Sequence, residues 1–351
     1  MLSTLHTESE NAAESHSSAE EFDPLKMDLE ALRRRLSQQG WFKSRGYFYP
    51  TQIFLVAVIF CLAFALLSLG TFAAMLASSV VLAVFNCQII WFTHDFVHGQ
   101  VIHNRSLRHR FYPVLALLQG LSLNWWERRH NQHHAHPNSF RRVDGKIEVI
   151  DPDIDSLPLM LWSQKLLNQG DADSKYVKFL MRTQRYTLWL MLTGLRPYWT
   201  FLGLRFGTAS DRVVLVAHHL LILLLASWVS KASVLAVILW WFVASALSSL
   251  ILASIFFFGH TGMDIYDSST RKNHFRAQLR CTRNFTNNLV MRFFTGGLCL
   301  HIEHHFFPTM PRDRLLDVAP EIQKILGQHS QPYTVEAIPH IYSKIFRSIS
   351  F

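Results

Sequence analysis

No charged residue interrupts the chain between Gly46 and His94, and between Val213 and Met263 only Lys231 does. A bilayer-crossing helix needs about 20 apolar residues, so each stretch has the length for two. The pattern predicts spans at about 51–69, 71–92, 212–230 and 232–258, joined pairwise by very short turns at Gly70 and Lys231. Each pair is therefore an antiparallel helical hairpin. Elsewhere, Asp28 to Ser37 carries its apolar positions on one helical face, and Phe111 to Trp126 is apolar but short and holds Pro113 and Gly120. The first predicts a cytoplasmic helix within residues 23–50, and the second a re-entrant or interfacial piece. Leu157 to Leu167 and Tyr186 to Phe206 mix Trp and Leu with Lys or Arg, the composition of helices lying on a membrane surface. The expected fold class is an all-α integral membrane protein of four transmembrane helices under a cytoplasmic helical cap, with 51–351 as the membrane domain.

Composition supports this pattern: 50% of the 351 residues are hydrophobic and only 17% charged, too apolar for an ordinary soluble enzyme. Residues 1–22, rich in Ser, Glu and Ala, lack the basic start and apolar core of a signal peptide and read as a disordered cytoplasmic tail. The four cysteines show no paired spacing, which argues against a disulfide framework or a zinc ribbon. The 34 Lys+Arg exceed the 25 Asp+Glu by nine, and every basic residue but Lys231 falls in segments that an even span count places on one side. By the positive-inside rule that side, with both termini, is cytoplasmic, and the surplus faces membrane lipid rather than nucleic acid.

Histidine carries the chemistry. The chain has nineteen, so a single H-x-x-x-H pair such as His94 and His98 is expected about once by chance. The triple H-x-x-H-H is far rarer, yet it occurs twice, as His130, His133, His134 and as His301, His304, His305. Positions i, i+3 and i+4 share one helical face, so each triple aims three imidazoles at one place. The spans put His94, His98 and His260 at the cytoplasmic membrane boundary, where the two triples can join them. Nine imidazoles exceed the four to six ligands of one ion and suit two. Imidazole alone leaves zinc, copper, iron and nickel open. Asp95 and Glu303, inside the boxes, are candidates to hold a ligand's outer ring nitrogen in the right tautomer.

The segments HDFVH, HNQHHAHPN and FTGGLCLHIEHHFFPTMPR resemble the three histidine boxes of membrane fatty acid desaturases, the front-end group in particular. The resemblance runs from about Leu29 to the C-terminus. It implies a di-iron enzyme that uses O2 and two electrons to place a cis double bond in an acyl chain, with His94, His98, His130, His133, His134, His304 and His305 as iron ligands and His260 as an additional one. His301 stands where front-end enzymes usually have Gln, and Val97 where Gly is common. The single His-Pro, at His136, does not continue as the haem motif of a fused cytochrome b5, so electrons are expected from a separate cytochrome b5 or ferredoxin. The implied partners are an acyl-CoA or acyl-lipid substrate, membrane lipids and that donor. The implied location is the endoplasmic reticulum in a eukaryote, or an inner or thylakoid membrane in a bacterium. Sphingolipid desaturation or lipid hydroxylation would use the same boxes. A metal transporter or an inactive lipid-binding relative are the readings from other classes.

Overall fold

The computed structural model describes residues 23–157, 159–271 and 273–350, so the tail expected at 1–22 lies outside the described residues. Helix α1, Pro24–Gln38, starts where the Asp23 side chain accepts the amide of Leu25 and a proline fills the first turn. It buries Leu25, Leu29, Leu32 and Leu36 along one face, each contributing about 1.5–3 kcal/mol of burial. Helices α2, Phe48–Leu67, and α3, Phe72–Val97, follow, with Gly70 at φ +68 in the turn between them and the Thr71 hydroxyl capping α3 through the amide of Ala74. Next come α4, Arg105–Gln119, and α5, Leu123–Ala135, then a hairpin of β1, Ser139–Val143, and β2, Lys146–Val149. The hairpin turns on Asp144 and Gly145, both at positive φ, an Asp-Gly signal present in the sequence but not used in the all-helical expectation.

Helices α6, Lys175–Leu192, and α7, Leu195–Phe206, break at Thr193 and Gly194, so 186–206 forms parts of two helices rather than one. The expected helix at 157–167 is instead mostly irregular, with one short 3-10 turn at Gln164–Leu166. Both backbone groups of Leu161 are taken by the buried side-chain amide of Gln184, which replaces the helical bonds. Helix α8, Ala209–Ser230, opens with a capping box of Thr208 and Asp211 and ends at Lys231, at φ +55. Helix α9, Val234–His260, completes the second hairpin. The chain continues through β3, Tyr266–Asp267, α10, His274–Cys281, β4, Asn284–Phe285, α11, Leu289–Phe294, α12, His301–Phe306, α13, Arg312–Gln328, β5, Val335–Glu336, and α14, Ile338–Ser348. Strands β2, β1 and β3 form one small sheet and β4 with β5 another.

Among the described residues four helices, α2, α3, α8 and α9, are long and apolar enough to cross a membrane, and the protein is an integral membrane protein. At 1.5 Å per residue, α3 and α9 are about 39–40 Å long, some 10 Å more than the hydrocarbon layer. The expected second span stops at 92, whereas α3 runs unbroken to Val97 and carries His94 into its last turn. α3 and α9 lie parallel and in register: Ser79 Oγ donates to the Trp240 carbonyl, and the Cys87 thiol faces that of Ser248. Their histidine-bearing ends therefore emerge together.

A core of α1, α10, α12, α13 and α14 residues sits over those ends. Asp23 ties α1 to α10 through Arg276, whose Nη2 lies 3.1 Å from Oδ1, and the Arg276 guanidinium holds the Asp23 carboxyl down to about 2. A carboxyl depressed on folding stabilises above its unfolded value and loses that contribution as pH falls through the folded value. The attachment of α1 is therefore expected to be pH-independent above about pH 5 and to loosen between about pH 4 and pH 2. Limited proteolysis within α1 across that range checks this, and Asp23→Asn should cleave at pH 7 much as wild type does near pH 2.

Candidate metal centre

Each histidine reaches the centre for a local reason. His94 and His98 occupy the projecting end of α3, and His260 is the last residue of α9. Helix α5 starts at Ser122, whose hydroxyl accepts the Trp125 amide, and presents His130, His133 and His134 on its buried face. The single turn and a half of α12 presents His301, His304 and His305, all buried.

The nine rings form two adjoining groups. His94, His98, His130, His134 and His304 bring one nitrogen each within 4.8 Å of one another, as do His133, His260 and His305. His301 joins the second group, its Nε2 2.7 Å from His260 Nε2. Further Nε2 to Nε2 separations are 2.9 Å for His98 and His130, 3.2 Å for His130 and His134, and 3.1 Å for His134 and His304. In the other group His260 Nε2 lies 3.2 Å from His133 Nε2 and 3.0 Å from His305 Nε2.

A neutral imidazole has one N–H, so a single proton can satisfy one such contact and leaves the converging lone pairs largely uncompensated. Burial, then crowding by neighbouring imidazoles, holds His130, His134, His304 and His305 well below the ordinary histidine range, hence neutral with lone pairs free. His94 Nε2 is buried with no hydrogen-bond partner among the described residues. An inward-facing set of buried ring nitrogens fits cations: His94, His98, His130, His134 and His304 form one group that could hold a metal ion and His133, His260 and His305 another, with His301 beside it.

The outer nitrogens have partners that sequence reasoning missed. His133 Nδ1 lies 3.0 Å from Asp151, whose carboxylate also accepts the amides of Asn138 and Asp153. Burial opposes protonation of His133, but Asp151 overcomes it and raises the ring to about 9. His260 Nδ1 bonds the Cys281 carbonyl at 2.9 Å, and His305 Nδ1 the Gln278 side-chain oxygen at 2.8 Å. Of the two expected carboxylates, Asp95 is only 3.5 Å from His94 Nδ1 and is held by Arg312 at 2.8 Å. Among the described residues Glu303 is grouped with no histidine nitrogen. Two residues past His301, it points away from the ligand face and takes hydrogen bonds from Tyr333 and Asn284, at 2.5 and 2.8 Å.

Val97 packs with Phe96, Tyr112 and Leu123 in the core between the hairpins. His218 Nδ1 donates to the Leu117 carbonyl at 2.7 Å, and His109 pairs with Glu127 at 3.2 Å, so neither joins the centre.

Residues 70–337 match the family model described as fatty acid desaturase. The chain belongs to the fatty acid desaturase family. This desaturase is 30% identical over 336 residues to the acyl-lipid (9-3)-desaturase of Physcomitrium patens, covering 93% of the chain and 62% of that protein. It is 27% identical over 324 residues to the Delta(6)-fatty-acid desaturase fat-3 of Caenorhabditis elegans, covering 88% and 71%. Against the Delta(8)-fatty-acid desaturase of Euglena gracilis the identity is 26% over 329 residues, covering 89% and 75%. The desaturase thus spans less than two thirds of the moss relative's length and about three quarters of the Euglena one.

One glycine is tied to the centre of the desaturase. A Cβ on Gly259, one residue before His260, would overlap the His301 ring at Cδ2 and Nε2. Gly259→Ala is therefore expected to displace His301 and lower product formation by about tenfold or more, the scale set by disturbing a ligand's support. Gly327→Ala, in open space on α13, should leave activity unchanged. Product analysis of both variants at equal expression checks this.

Proposed function

We propose that this desaturase introduces a cis double bond into an acyl chain held beside two irons, at the expense of O2 and two electrons. The observation that carries this reading is the shell of nine buried histidines, eight of them linked by Nε2 to Nε2 separations of 2.7–3.2 Å and the ninth, His94, grouped with four of these within 4.8 Å. His94, His98, His130, His134 and His304 would hold one iron, and His133, His260, His301 and His305 the other. Iron bound there would supply the activation of O2 needed to remove two hydrogens from adjacent methylenes. The balance is one CH2–CH2 unit, O2, two electrons and two protons giving CH=CH and two waters.

The protein's own residues position and shield. Asp151, Gln278 and the Cys281 carbonyl fix ring orientation. Trp126 stacks on His130 at 4.3 Å between centroids. Ile90, Trp91, Leu121, Leu252, Ile255 and Leu298 make a buried apolar cluster beside His94, with members on both α3 and α9, and the acyl chain is assigned to this apolar side. The basic surplus of nine fits an anionic head group, of CoA or of a phospholipid, and an acidic electron donor, a separate cytochrome b5 or ferredoxin. Both termini are assigned to the cytoplasmic side. The relatives' eukaryotic sources favour the endoplasmic reticulum. All the grouped histidines lie at one end of the spanning helices rather than mid-membrane, which disfavours a transporter.

The test is expression in a yeast host supplied with C18 and C20 fatty acids and analysed for lipid products. A new double bond between the carboxyl end and an existing one supports a front-end desaturase. A bond elsewhere, or a hydroxylated chain, would overturn that assignment.

A further inference from the structure

The two histidine groups are supported unequally from outside. In the four-histidine group, three rings have a close acceptor on the outer nitrogen: Asp151 at 3.0 Å for His133, the Cys281 carbonyl at 2.9 Å for His260, and Gln278 at 2.8 Å for His305. One of these is a carboxylate, itself braced by the Asn138 amide at 2.6 Å and the Asp153 amide at 2.9 Å. Among the described residues the outer Nδ1 of the fourth ring, His301, is buried without a hydrogen-bond partner, as are those of His134 and His304 in the five-histidine group. His94 has only the 3.5 Å approach of Asp95, whose other oxygen is drawn off by Arg312.

Three consequences follow for a cation bound at the inner nitrogens. An acceptor on the outer N–H fixes the tautomer, restrains the ring and raises ligand basicity, and such partners are each worth about 10–100-fold in metal affinity. An outer N–H buried without an acceptor works the other way, at a cost on the order of tenfold. The fifth imidazole favours the five-histidine position, but it is one ligand against three outer partners on the four-histidine side, where His301 alone is unsupported, and two unsupported rings on its own side.

We propose that the two metal positions are thermodynamically unequal, that the four-histidine position binds its ion first and loses it last, and that Asp151 is the positioning residue chiefly responsible. This rests on the reading of the centre as dinuclear. It also assigns a role to Asp151, 18 residues beyond the histidine it serves and outside every box. The exchangeable ion is then the one beside the apolar cluster, ringed by the less restrained imidazoles.

The experiment is a Co2+ titration of the purified, metal-free full chain in detergent, followed by cobalt absorption in competition with a chelator. Wild type should take up two ions in two steps separated by at least about tenfold in affinity. Asp151→Asn should weaken the tighter step by about 10–100-fold and leave the weaker one within about threefold. Gln278→Leu should weaken the same step without touching the Asp151 loop, and Gln278→Glu added to Asp151→Asn should restore part of the loss. Two ions bound in a single step, or equal weakening of both steps by Asp151→Asn, would overturn the inequality. Fewer than two ions in wild type would instead overturn the dinuclear reading beneath it.

Discussion

His304→Ala is expected to abolish product formation, by more than about 100-fold, and to lower bound metal from about two ions per chain to about one. His304 is buried, and its Nε2 stands 3.1 Å from that of His134. Its ring also lies 4.7 Å from His94 and 4.9 Å from His98, so it closes the five-histidine group across three elements. Removing it opens one face of that position and leaves the other, with His133, His260, His301 and His305, in place. Metal analysis beside lipid analysis separates loss of the centre from loss of the fold, because a misfolded chain would lose both ions.

Arg312→Met should produce the largest loss of stability, about 3–5 kcal/mol. The Arg312 guanidinium, on the first turn of α13, lies 2.8 Å from Asp95 with both side chains buried, and it also donates to the Gly296 carbonyl at 3.1 Å. Breaking a buried pair from one side strands the remaining charge, whereas removing both partners together does not. The double variant Asp95→Asn with Arg312→Met should therefore recover part of the loss. Thermal unfolding in detergent, read as loss of monodisperse protein, measures both. If Arg312→Met melted like wild type, the pair would have no role in fastening α13 to the end of α3.

These two residues mark how far the sequence could be read. The spans were legible because a bilayer imposes a long, uncharged run, and α2, α3, α8 and α9 differ from the expected bounds by only a few residues at each end. His130, His133 and His134 were legible because their spacing repeats the helix period, and a second copy at His301, His304 and His305 made chance an unsatisfactory account. Both signals are local. Arg312 meets Asp95 across more than two hundred residues, and Asn284 meets Glu303 from a strand of two residues, so no periodicity announces either pair.

Asp151 is an intermediate case. It sits in the short run Asp151-Pro152-Asp153 after the second box, but only the β1–β2 hairpin folds it back onto His133. The Asp144-Gly145 turn that makes the hairpin was the one available pointer. Glu303 shows the opposite failure: adjacency in sequence suggested a partner for a ligand, yet the helical rotation from His301 to Glu303 carries it to the far side. For 157–167 the apolar composition was right for burial, since Leu161 and Trp162 enter the core, but Gln184 took the backbone bonds that a helix would have needed.

The account is tested most directly by the fate of oxygen and hydrogen in the product. Microsomes carrying the wild-type chain would be supplied with an acyl substrate and 18O2, and the acyl product weighed by mass spectrometry. The account predicts a chain lighter by two hydrogens, carrying no 18O, absent without O2 and absent for His304→Ala. An acyl chain that retains its carbon–carbon single bond and gains one 18O would contradict it, making the same centre a hydroxylase.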